Sequence, residues 1–169
     1  ATHDSLTELL NRRELVTRIS GVLGRTPRTG INVGVLFIDL DGLKPVNDTY
    51  GHAIGDAVLI EVAAMIRNTA RQDDSVCRFG GEEFLMICHP TDLKSTLQAA
   101  ERLCHAVRNL RIRTDAGVIQ TSVSIGVATR EIDTLRVSDL MARADAALYG
   151  AKAKGRNTVA VAPGSARAI

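Results

Sequence analysis

One nearly continuous apolar run, Ile31 to Leu40, constrains the fold of this chain more than any other feature of its sequence. Its β-branched and large apolar residues lack the alternation of a half-exposed strand, so the run predicts a strand buried on both faces. Acidic residues occur abruptly where the run ends, at Asp39 and Asp41. Strand alternation places both on one side, where an ionised carboxylate needs water, a cation or a hydrogen-bond donor.

A second acidic element, Gly80 to Phe84, lies between two apolar strand-like runs, Val76 to Phe79 and Phe84 to Cys88. Its two glycines can adopt positive φ and so permit a tight hairpin. Glu82 and Glu83 place adjacent carboxylates on that turn. A divalent metal with oxygen ligands explains this repelling pair, and a solvated acidic turn explains it equally well from the segment alone.

Apolar spacing in the rest of the chain predicts alternating helices and strands. The predicted helices are Asp4 to Leu23, Lys44 to Tyr50, Ile54 to Thr69, Leu93 to Asn109 and Val137 to Lys154, with Asp4 or Ser5 as the cap of the first. A loop is predicted at Gly24 to Gly30. Extended segments are predicted at Val118 to Thr129 and Asn157 to Ala162. We therefore predict an α/β (α+β) fold with a mainly antiparallel central sheet surrounded by helices. We expect a single domain over residues 1–162 and a C-terminal tail over 163–169.

Composition excludes some classes of function. The chain has 169 residues, 45% of them hydrophobic, which favours one globular domain. Aromatic residues make up only 3%, Trp is absent and the net charge is +2, so we expect no nucleic-acid partner. The three cysteines have no metal-type spacing and indicate buried thiols in a reducing compartment. No membrane-spanning run occurs, so we expect no membrane contact by this domain and a cytoplasmic location, although the full-length protein can still be membrane-anchored.

The two acidic elements define a candidate metal site. If Asp39 lies beside the hairpin, Asp39 and Glu82 can share one or two magnesium ions, as in enzymes that transfer phosphoryl or nucleotidyl groups. The alternative for Asp39 is a strand-end carboxylate in solvent. For Asp41 an ordinary Asp-Gly turn is the favoured interpretation.

The segment after the apolar strand offers groups that recognise hydrogen-bonding edges. Asn47 carries a donor and an acceptor, whereas Asp56 only accepts, a combination that suits the adjacent N–H groups of guanine. A turn residue is the alternative for Asn47, and an acid near a helix start is the alternative for Asp56. His52 alone is more often structural.

Cationic residues occur at two further places. Lys152, Lys154 and Arg156 end the last predicted helix, where they either complement the helix dipole or hold a triphosphate. Arg71 and Asp74 precede the hairpin, where they either clamp a nucleotide's phosphate and base edge or form a surface ion pair.

Taken together, these residues resemble the GGDEF family of diguanylate cyclases. Six segments match in the family's order and cover about Asp4 to Val161: residues 4–12, 37–44, 47–56, 78–84, 124–127 and 144–157. The resemblance implies a fold like the palm domain of polymerases and class III nucleotidyl cyclases, with the signature on a β-hairpin. It also implies condensation of two GTP molecules into cyclic di-GMP (c-di-GMP) with release of two pyrophosphates.

The resemblance also implies roles for individual residues. Asp39, the Leu40 carbonyl and Glu82 would bind Mg²⁺, for which Mn²⁺ can substitute. Glu82 would also deprotonate the 3′-hydroxyl, and Glu83 would assist the metal site. The substrate residues would be Asn47 and Asp56 on guanine, His52 nearby, and Gly42, Leu43, Lys44, Lys152 and Arg156 on the phosphates. Arg71 and Asp74 would form an inhibitory product site.

Family likeness further implies a homodimer, since each subunit holds one GTP, and an upstream sensor domain, since the chain begins close to Asp4. Departures from the family pattern are few: Glu82 replaces the Asp of the family name, Gly42 and Leu43 stand where bulkier aromatics often occur, and Pro45 follows Lys44. Two alternatives stay open. One is a catalytically silent receptor for c-di-GMP or GTP, and the other is a related palm enzyme.

Overall fold

The computed structural model describes residues 1–25, 33–89, 91–130 and 137–164. The elements are β1 (Leu10–Asn11), α1 (Arg12–Arg25), β2 (Gly34–Asp41), α2 (Leu43–Tyr50), α3 (His52–Thr69), β3 (Ser75–Arg78), β4 (Glu83–Cys88), α4 (Leu93–Arg108), β5 (Ile112–Thr114), β6 (Gly117–Ile119), β7 (Ser122–Thr129), α5 (Val137–Ala153) and β8 (Val159–Val161). Six strands form the central sheet in the order β1-β3-β4-β2-β7-β8. The predicted loop begins too early, because Gly24 and Arg25 still belong to α1. The rest of that loop and the first two residues of the predicted strand, 26–32, lie outside the described residues.

The strand predicted to be buried on both faces, β2, lies inside this sheet and pairs antiparallel with β4 and β7. Alternate side chains of a strand point to opposite faces. Leu36, Ile38 and Leu40 pack with α3 and α4 on one face, and Val35 and Phe37 pack with α1 and α5 on the other. The expected arrangement is confirmed: the sheet is mainly antiparallel, with parallel pairing only of β1 with β3 and of β7 with β8.

The prediction that the first helix begins at Asp4 is wrong. Asp4 accepts hydrogen bonds of 2.8 Å from both the backbone N–H and the hydroxyl of Thr7, which form a turn instead. Such side-chain bonds to the nearby backbone compete with helix formation. The helix starts at Arg12, and Asn11 caps it by accepting a 2.9 Å hydrogen bond from Glu14 N–H.

The hairpin at residues 79–82 is present, but its turn does not use positive φ at Gly80 or Gly81. The Glu83 carbonyl closes the turn by accepting from Phe79 N–H at 2.7 Å and from Gly80 N–H at 3.2 Å. Positive φ occurs instead at Gly42 (74°), where the chain turns from β2 into α2.

The segment predicted to be extended from Val118 to Thr129 is two separate strands. β6 pairs with β5 in a small sheet of its own, and β7 belongs to the central sheet. The last predicted strand is shorter, Val159–Val161. The predicted tail is described only at residues 163 and 164, and the domain bounds stay a prediction.

Gly126 allows α5 to lie directly on β7. A Cβ at this position would overlap the Ala144 carbonyl oxygen and the Leu148 backbone nitrogen, neither of which can move without displacing the helix. We expect Gly126→Ala to lower the free energy of unfolding by roughly 1–3 kcal/mol, as over-packed cores do. Urea unfolding measures this change.

Gly150→Ala is the matched control. Gly150 lies in α5, and a Cβ there meets nothing within 4 Å. Because glycine destabilises a helix interior relative to alanine, this variant should gain about 0.5–1 kcal/mol. Equal losses in both variants would contradict the close helix-to-strand contact at Gly126.

Candidate active site

A cleft of about 300 Å³ opens where β2, the hairpin turn, the start of α2 and the end of α5 meet. It is lined by Asp39, Leu40, Asp41, Gly42, Lys44, Pro45, Glu82, Lys152 and Arg156. The structure thus brings together seven of the residues proposed from the sequence, namely Asp39, Leu40, Gly42, Lys44, Glu82, Lys152 and Arg156. These residues come from three separate segments of the chain: residues 39–44, the hairpin turn and the end of α5.

Asp39 is the buried acid of this cleft, with 6% of its side chain exposed. Its Oδ2 forms an ion pair with Lys152 Nζ, whereas its Oδ1 is buried and has no hydrogen-bond partner among the residues that the structure describes. Burial raises the pKa of Asp39, and the Lys152 charge offsets this only in part. The solvent-exposed alternative for Asp39 is therefore wrong, and one carboxylate oxygen is left for another donor or a cation.

The hairpin carries Glu82 and Glu83 to the same place. The Glu82 carbonyl accepts a 3.0 Å hydrogen bond from Leu40 N–H, and Glu83 lies opposite Asp39 in the β2–β4 register. Burial raises the pKa of both glutamates, and the negative charge of Asp39 raises each further. The charge of Lys152 lowers the pKa of all three carboxylates, Asp39, Glu82 and Glu83, and so opposes these rises in part.

The donor chemistry of this cleft fits a hard divalent cation. Carboxylate and carbonyl oxygens are the ligands that Mg²⁺ prefers, and Mg²⁺ is usually held by only one or two carboxylates together with water and substrate phosphates. Within the described ranges, no three His, Cys, Asp or Glu side chains are arranged as a closed metal cage. An open site with the unpartnered Asp39 Oδ1 agrees with this mode of binding.

Asp41, two residues beyond Asp39, is fully engaged in structural contacts. Its carboxylate accepts hydrogen bonds from Ser122 Oγ at 2.7 Å, Ser124 Oγ at 2.8 Å and Asn157 N–H at 3.0 Å. The interpretation as an ordinary Asp-Gly turn missed this network. The small polar residues on alternate positions of β7 were the signal that could have indicated it.

The signature turn is also held by a residue that the sequence analysis did not single out. The Arg78 guanidinium donates to the Gly81 carbonyl at 2.8 Å and to Asp4 Oδ1 at 3.3 Å. Burial alone would raise the pKa of Asp4, but hydrogen bonds from Thr7 and the Arg78 charge outweigh it and lower that pKa. Arg78 therefore ties the N-terminal turn to the hairpin.

The candidate guanine residues lie beside the cleft, outside its lining. Asn47 is half-buried on α2, whereas His52 and Asp56 are exposed on α3. A Cβ on Gly55 would overlap the Asn47 side-chain amide, so the glycine provides the space in which that amide lies. Leu43 is buried in the core, which leaves only its backbone for a ligand.

A second cavity of about 340 Å³ lies at the turn before β3. Its lining includes Arg71, Asp74, Cys88 and His89. Asp74 accepts a 2.7 Å hydrogen bond from Arg71 N–H, and in the described part of the chain no ion pair joins the two side chains. The exposed Arg71 guanidinium is therefore free of Asp74, and the surface ion pair expected as its alternative is not formed.

Arg102 on α4 adds a second cation near this cavity. Burial raises the pKa of the Cys88 thiol to about 12. The positive charges of Arg71 and Arg102 both oppose that rise, so both side chains lie close enough to Cys88 to act on its charge. That Arg71 and Arg102 lie near the same cavity could not be predicted from local pattern, because Arg102 is on a helix 31 residues further along the chain.

Comparison with known proteins identifies the class of domain. The family profile described as "Diguanylate cyclase, GGDEF domain" matches residues 1–158. The bifunctional diguanylate cyclase/cyclic di-GMP phosphodiesterase MucR of Pseudomonas aeruginosa is 40% identical over 157 residues, which are 93% of this chain and 23% of MucR. The response regulator PleD of Caulobacter vibrioides is 38% identical over 161 residues, 94% of this chain and 36% of PleD.

Solved structures agree with the sequence comparison. The GGDEF domain of DgcB from Caulobacter crescentus, solved in complex with c-di-GMP, superposes with a TM-score of 0.90 at 32% identity and covers 95% of each chain. The active GGEEF domain of a diguanylate cyclase from Vibrio cholerae superposes with a TM-score of 0.85 at 27% identity and covers 93% of this chain and 99% of that one.

The chain belongs to the GGDEF family, and the resemblance drawn from its motifs and the palm-like cyclase fold are both confirmed. Enzymes of this family are generally metal-dependent. The chain spans between 23% and 36% of the length of the curated relatives MucR and PleD. None of the helices in the described ranges combines the length and the apolar character that a bilayer crossing requires.

The acidic cluster predicts a pH-dependent stability. A glutamate whose pKa is raised above its ordinary 4.5 binds a proton more tightly in the folded state, so the fold loses stability as pH rises through that raised pKa. In metal-free buffer we expect Glu82→Gln to be more stable than the wild-type chain at neutral pH. The difference should disappear below the ordinary pKa of glutamate, and thermal unfolding across pH measures it.

Glu61→Gln is the control for this experiment, because Glu61 is exposed on α3, away from the cleft. It should leave stability nearly unchanged at every pH. A Glu82→Gln variant that is less stable than the wild type at neutral pH would contradict the strained acidic cluster.

Proposed function

We propose that this chain is the catalytic domain of a diguanylate cyclase that condenses two GTP molecules into c-di-GMP and releases two pyrophosphates. One observation carries the proposal: among the described residues, the buried Asp39 has an oxygen without a hydrogen-bond partner, and the cleft around it also holds Glu82 and three cations, Lys44, Lys152 and Arg156. The description of the family and the name of the relative MucR, a bifunctional diguanylate cyclase/cyclic di-GMP phosphodiesterase, support the same reaction.

Asp39, the Leu40 carbonyl and Glu82 would hold Mg²⁺, or Mn²⁺ in its place, with Glu83 assisting. When bound, the ion supplies charge neutralisation for the triphosphate and a lowered pKa for the 3′-hydroxyl. Lys152 now pairs with Asp39, and we propose that it exchanges this carboxylate for substrate phosphate. Asp39 Oδ2 would then be released for the site.

Glu82 is the proposed proton acceptor. Burial and the charge of Asp39 raise the pKa of Glu82, which moves this carboxylate toward the range in which a general base works best. Its carboxylate would take the proton of the 3′-hydroxyl, which attacks the α-phosphorus of the second GTP. Lys152 and Arg156 would stabilise the leaving pyrophosphate.

Substrate recognition would involve two surfaces beside the cleft. Backbone N–H groups at the start of α2, around Gly42 and Leu43, have no partner within the helix and can donate to phosphate, with Lys44 beside them. Asn47 and Asp56 would bind the edge of guanine, and His52 lies nearby. The glycine at position 55, which leaves room for the Asn47 amide, supports this assignment.

The product contains two nucleotides, whereas each cleft would hold one GTP. Two copies of the domain must therefore face each other, and a two-fold homodimer does so with identical surfaces.

We also propose a cytoplasmic location, where GTP is available. The greater length of MucR and PleD supports an additional, upstream sensor domain in the full-length protein.

The second cavity is the proposed inhibitory site. The exposed Arg71 guanidinium can bind a phosphate of c-di-GMP, and Asp74 can accept from a guanine edge. Arg102 would supply a second cation for the same ligand. The expected outcome is feedback inhibition by product.

Incubation of the purified chain with GTP and Mg²⁺, followed by chromatographic separation of the nucleotides, tests the proposed reaction. We expect c-di-GMP and pyrophosphate, and we expect Glu82→Ala to lose about 10²–10⁴-fold in turnover, the range for loss of a general base. Glu61→Ala should keep its activity. Substantial turnover by a folded Glu82→Ala variant would contradict the role of Glu82.

A silent receptor is the second candidate, because the cavity at Arg71 and Asp74 is separate from the acidic cleft. The same incubation distinguishes the two functions. No cyclic dinucleotide at high protein concentration, together with measurable c-di-GMP binding, would favour the receptor and reject the cyclase.

Product inhibition provides a separate test of the second cavity. We expect Arg71→Ala to raise the c-di-GMP concentration that halves the activity by at least tenfold, with the uninhibited rate retained, because Arg71 lies outside the cleft. Arg113→Ala, which changes an exposed arginine on β5, should inhibit like the wild type. Unchanged inhibition in Arg71→Ala would reject this site.

A further inference from the structure

Two consecutive residues that are not glycine, Arg156 and Asn157, have positive φ, at 64° and 51°. The chain leaves α5 just before them, through a C-terminal motif in which Arg156 N–H donates to the Ala151 carbonyl and Gly155 N–H to the Lys152 carbonyl. That motif accounts for the positive φ of Gly155. It does not require the left-handed conformation at the next two residues, and a side chain makes that conformation unfavourable.

Asn157 is held from two sides. The Asp41 carboxylate accepts its backbone N–H at 3.0 Å. The Arg108 guanidinium donates from Nε to Asn157 Oδ1 at 3.0 Å and from Nη2 to the Asn157 carbonyl at 3.3 Å. These bonds come from β2 and α4, so elements on either side fix the backbone that carries Arg156.

Arg108 lies outside the cleft. It lies in the last turn of α4, is exposed and does not line the cavity that contains Asp39 and Arg156. Arg156 does line that cavity, and its charge lowers the pKa of Asp39. A residue outside the site is therefore linked through one asparagine to a cation inside it.

We infer that Arg108 is a positioning residue: by holding Asn157, it keeps Arg156 in the left-handed conformation that directs its guanidinium toward the substrate phosphates. Without this contact, residues 156 and 157 lose a restraint on a conformation that non-glycine residues disfavour, and Arg156 is no longer fixed at the cleft. The inference rests on the proposed function, because it takes Arg156 to be a ligand of the triphosphate.

Calorimetric titration with an α,β-methylene analogue of GTP and with GMP, both in the presence of Mg²⁺, tests this inference. We expect Arg108→Ala and Arg156→Ala each to weaken binding of the triphosphate about 5- to 20-fold and to change binding of GMP less than twofold. Both variants remove the contact between Arg156 and the triphosphate, one by releasing Arg156 and the other by deleting its guanidinium. The double variant Arg108→Ala with Arg156→Ala should therefore bind the triphosphate no more weakly than Arg156→Ala alone. Arg108→Lys, which can make one of the two bonds, should restore part of the affinity.

Asn157→Ala serves as a second variant. Alanine lacks the Oδ1 that Arg108 holds and, unlike glycine, still disfavours positive φ, so this variant should reproduce Arg108→Ala and decides the matter if Arg108→Ala fails to fold. Arg113→Ala is the control and should bind both nucleotides like the wild type.

The remaining outcomes separate this inference from the proposed function. Normal triphosphate binding by Arg108→Ala, beside weakened binding by Arg156→Ala, would overturn the inference and leave the cyclase proposal intact. Additive losses in the double variant, or equal losses for GMP, would also overturn it. Normal binding by Arg156→Ala would instead reject the role of Arg156 in the proposed function, and the inference with it.

Discussion

The structure of this domain depends on one buried carboxylate at the end of its central strand. The sheet and the helices on both its faces bury β2 almost completely, and the strand delivers Asp39 to the edge of that core with one oxygen unpartnered. A buried polar atom without a partner costs stability, on the order of 1–3 kcal/mol. Such an atom persists in a folded protein when a ligand or ion meets it, and the rest of the cleft is arranged around this one.

Asp39 and Asp41 show how neighbouring residues of one type acquire different roles. Both lie on the same side of β2, but Asp41 accepts three hydrogen bonds from β7 and the loop after α5. Within the described part of the chain, the carboxylate of Asp39 pairs with Lys152 alone. The satisfied aspartate builds the structure, and the unsatisfied one is available for chemistry. Hydrogen-bond partners distinguish the two, whereas residue type and spacing do not.

Much of the fold follows from local pattern. The buried strand, the signature hairpin and the four helices after β2 were predictable, because apolar periodicity reports burial directly. The start of α1 was not, since the bonds that Asp4 forms with Thr7 replace the predicted helix cap. The predicted extension from Val118 to Thr129 failed because alternation alone does not show where one sheet ends and another begins.

The candidate site divides in the same way. Its acids and cations carry local signals, such as carboxylates beside apolar strands and basic residues at a helix end. The contacts that orient them join distant parts of the chain: Asp41 and Asn157 are 116 residues apart, and Arg78 and Asp4 are 74 apart. Only the packed structure brings such pairs together, so the contacts of Arg78 and Arg108 could not be predicted from one sequence. For Asp41, the alternating serines of β7 were the one local signal.

In the proposed function, Asp39 is held ready for a divalent cation. Titration of the chain with Mn²⁺, monitored by the loss of the electron paramagnetic resonance signal of the free ion, measures this binding. We expect the wild-type chain to bind Mn²⁺ and to bind it more tightly when the non-reactive GTP analogue is added, and we expect Asp39→Asn to lose this binding. Equal Mn²⁺ affinity in Asp39→Asn and the wild type would contradict it.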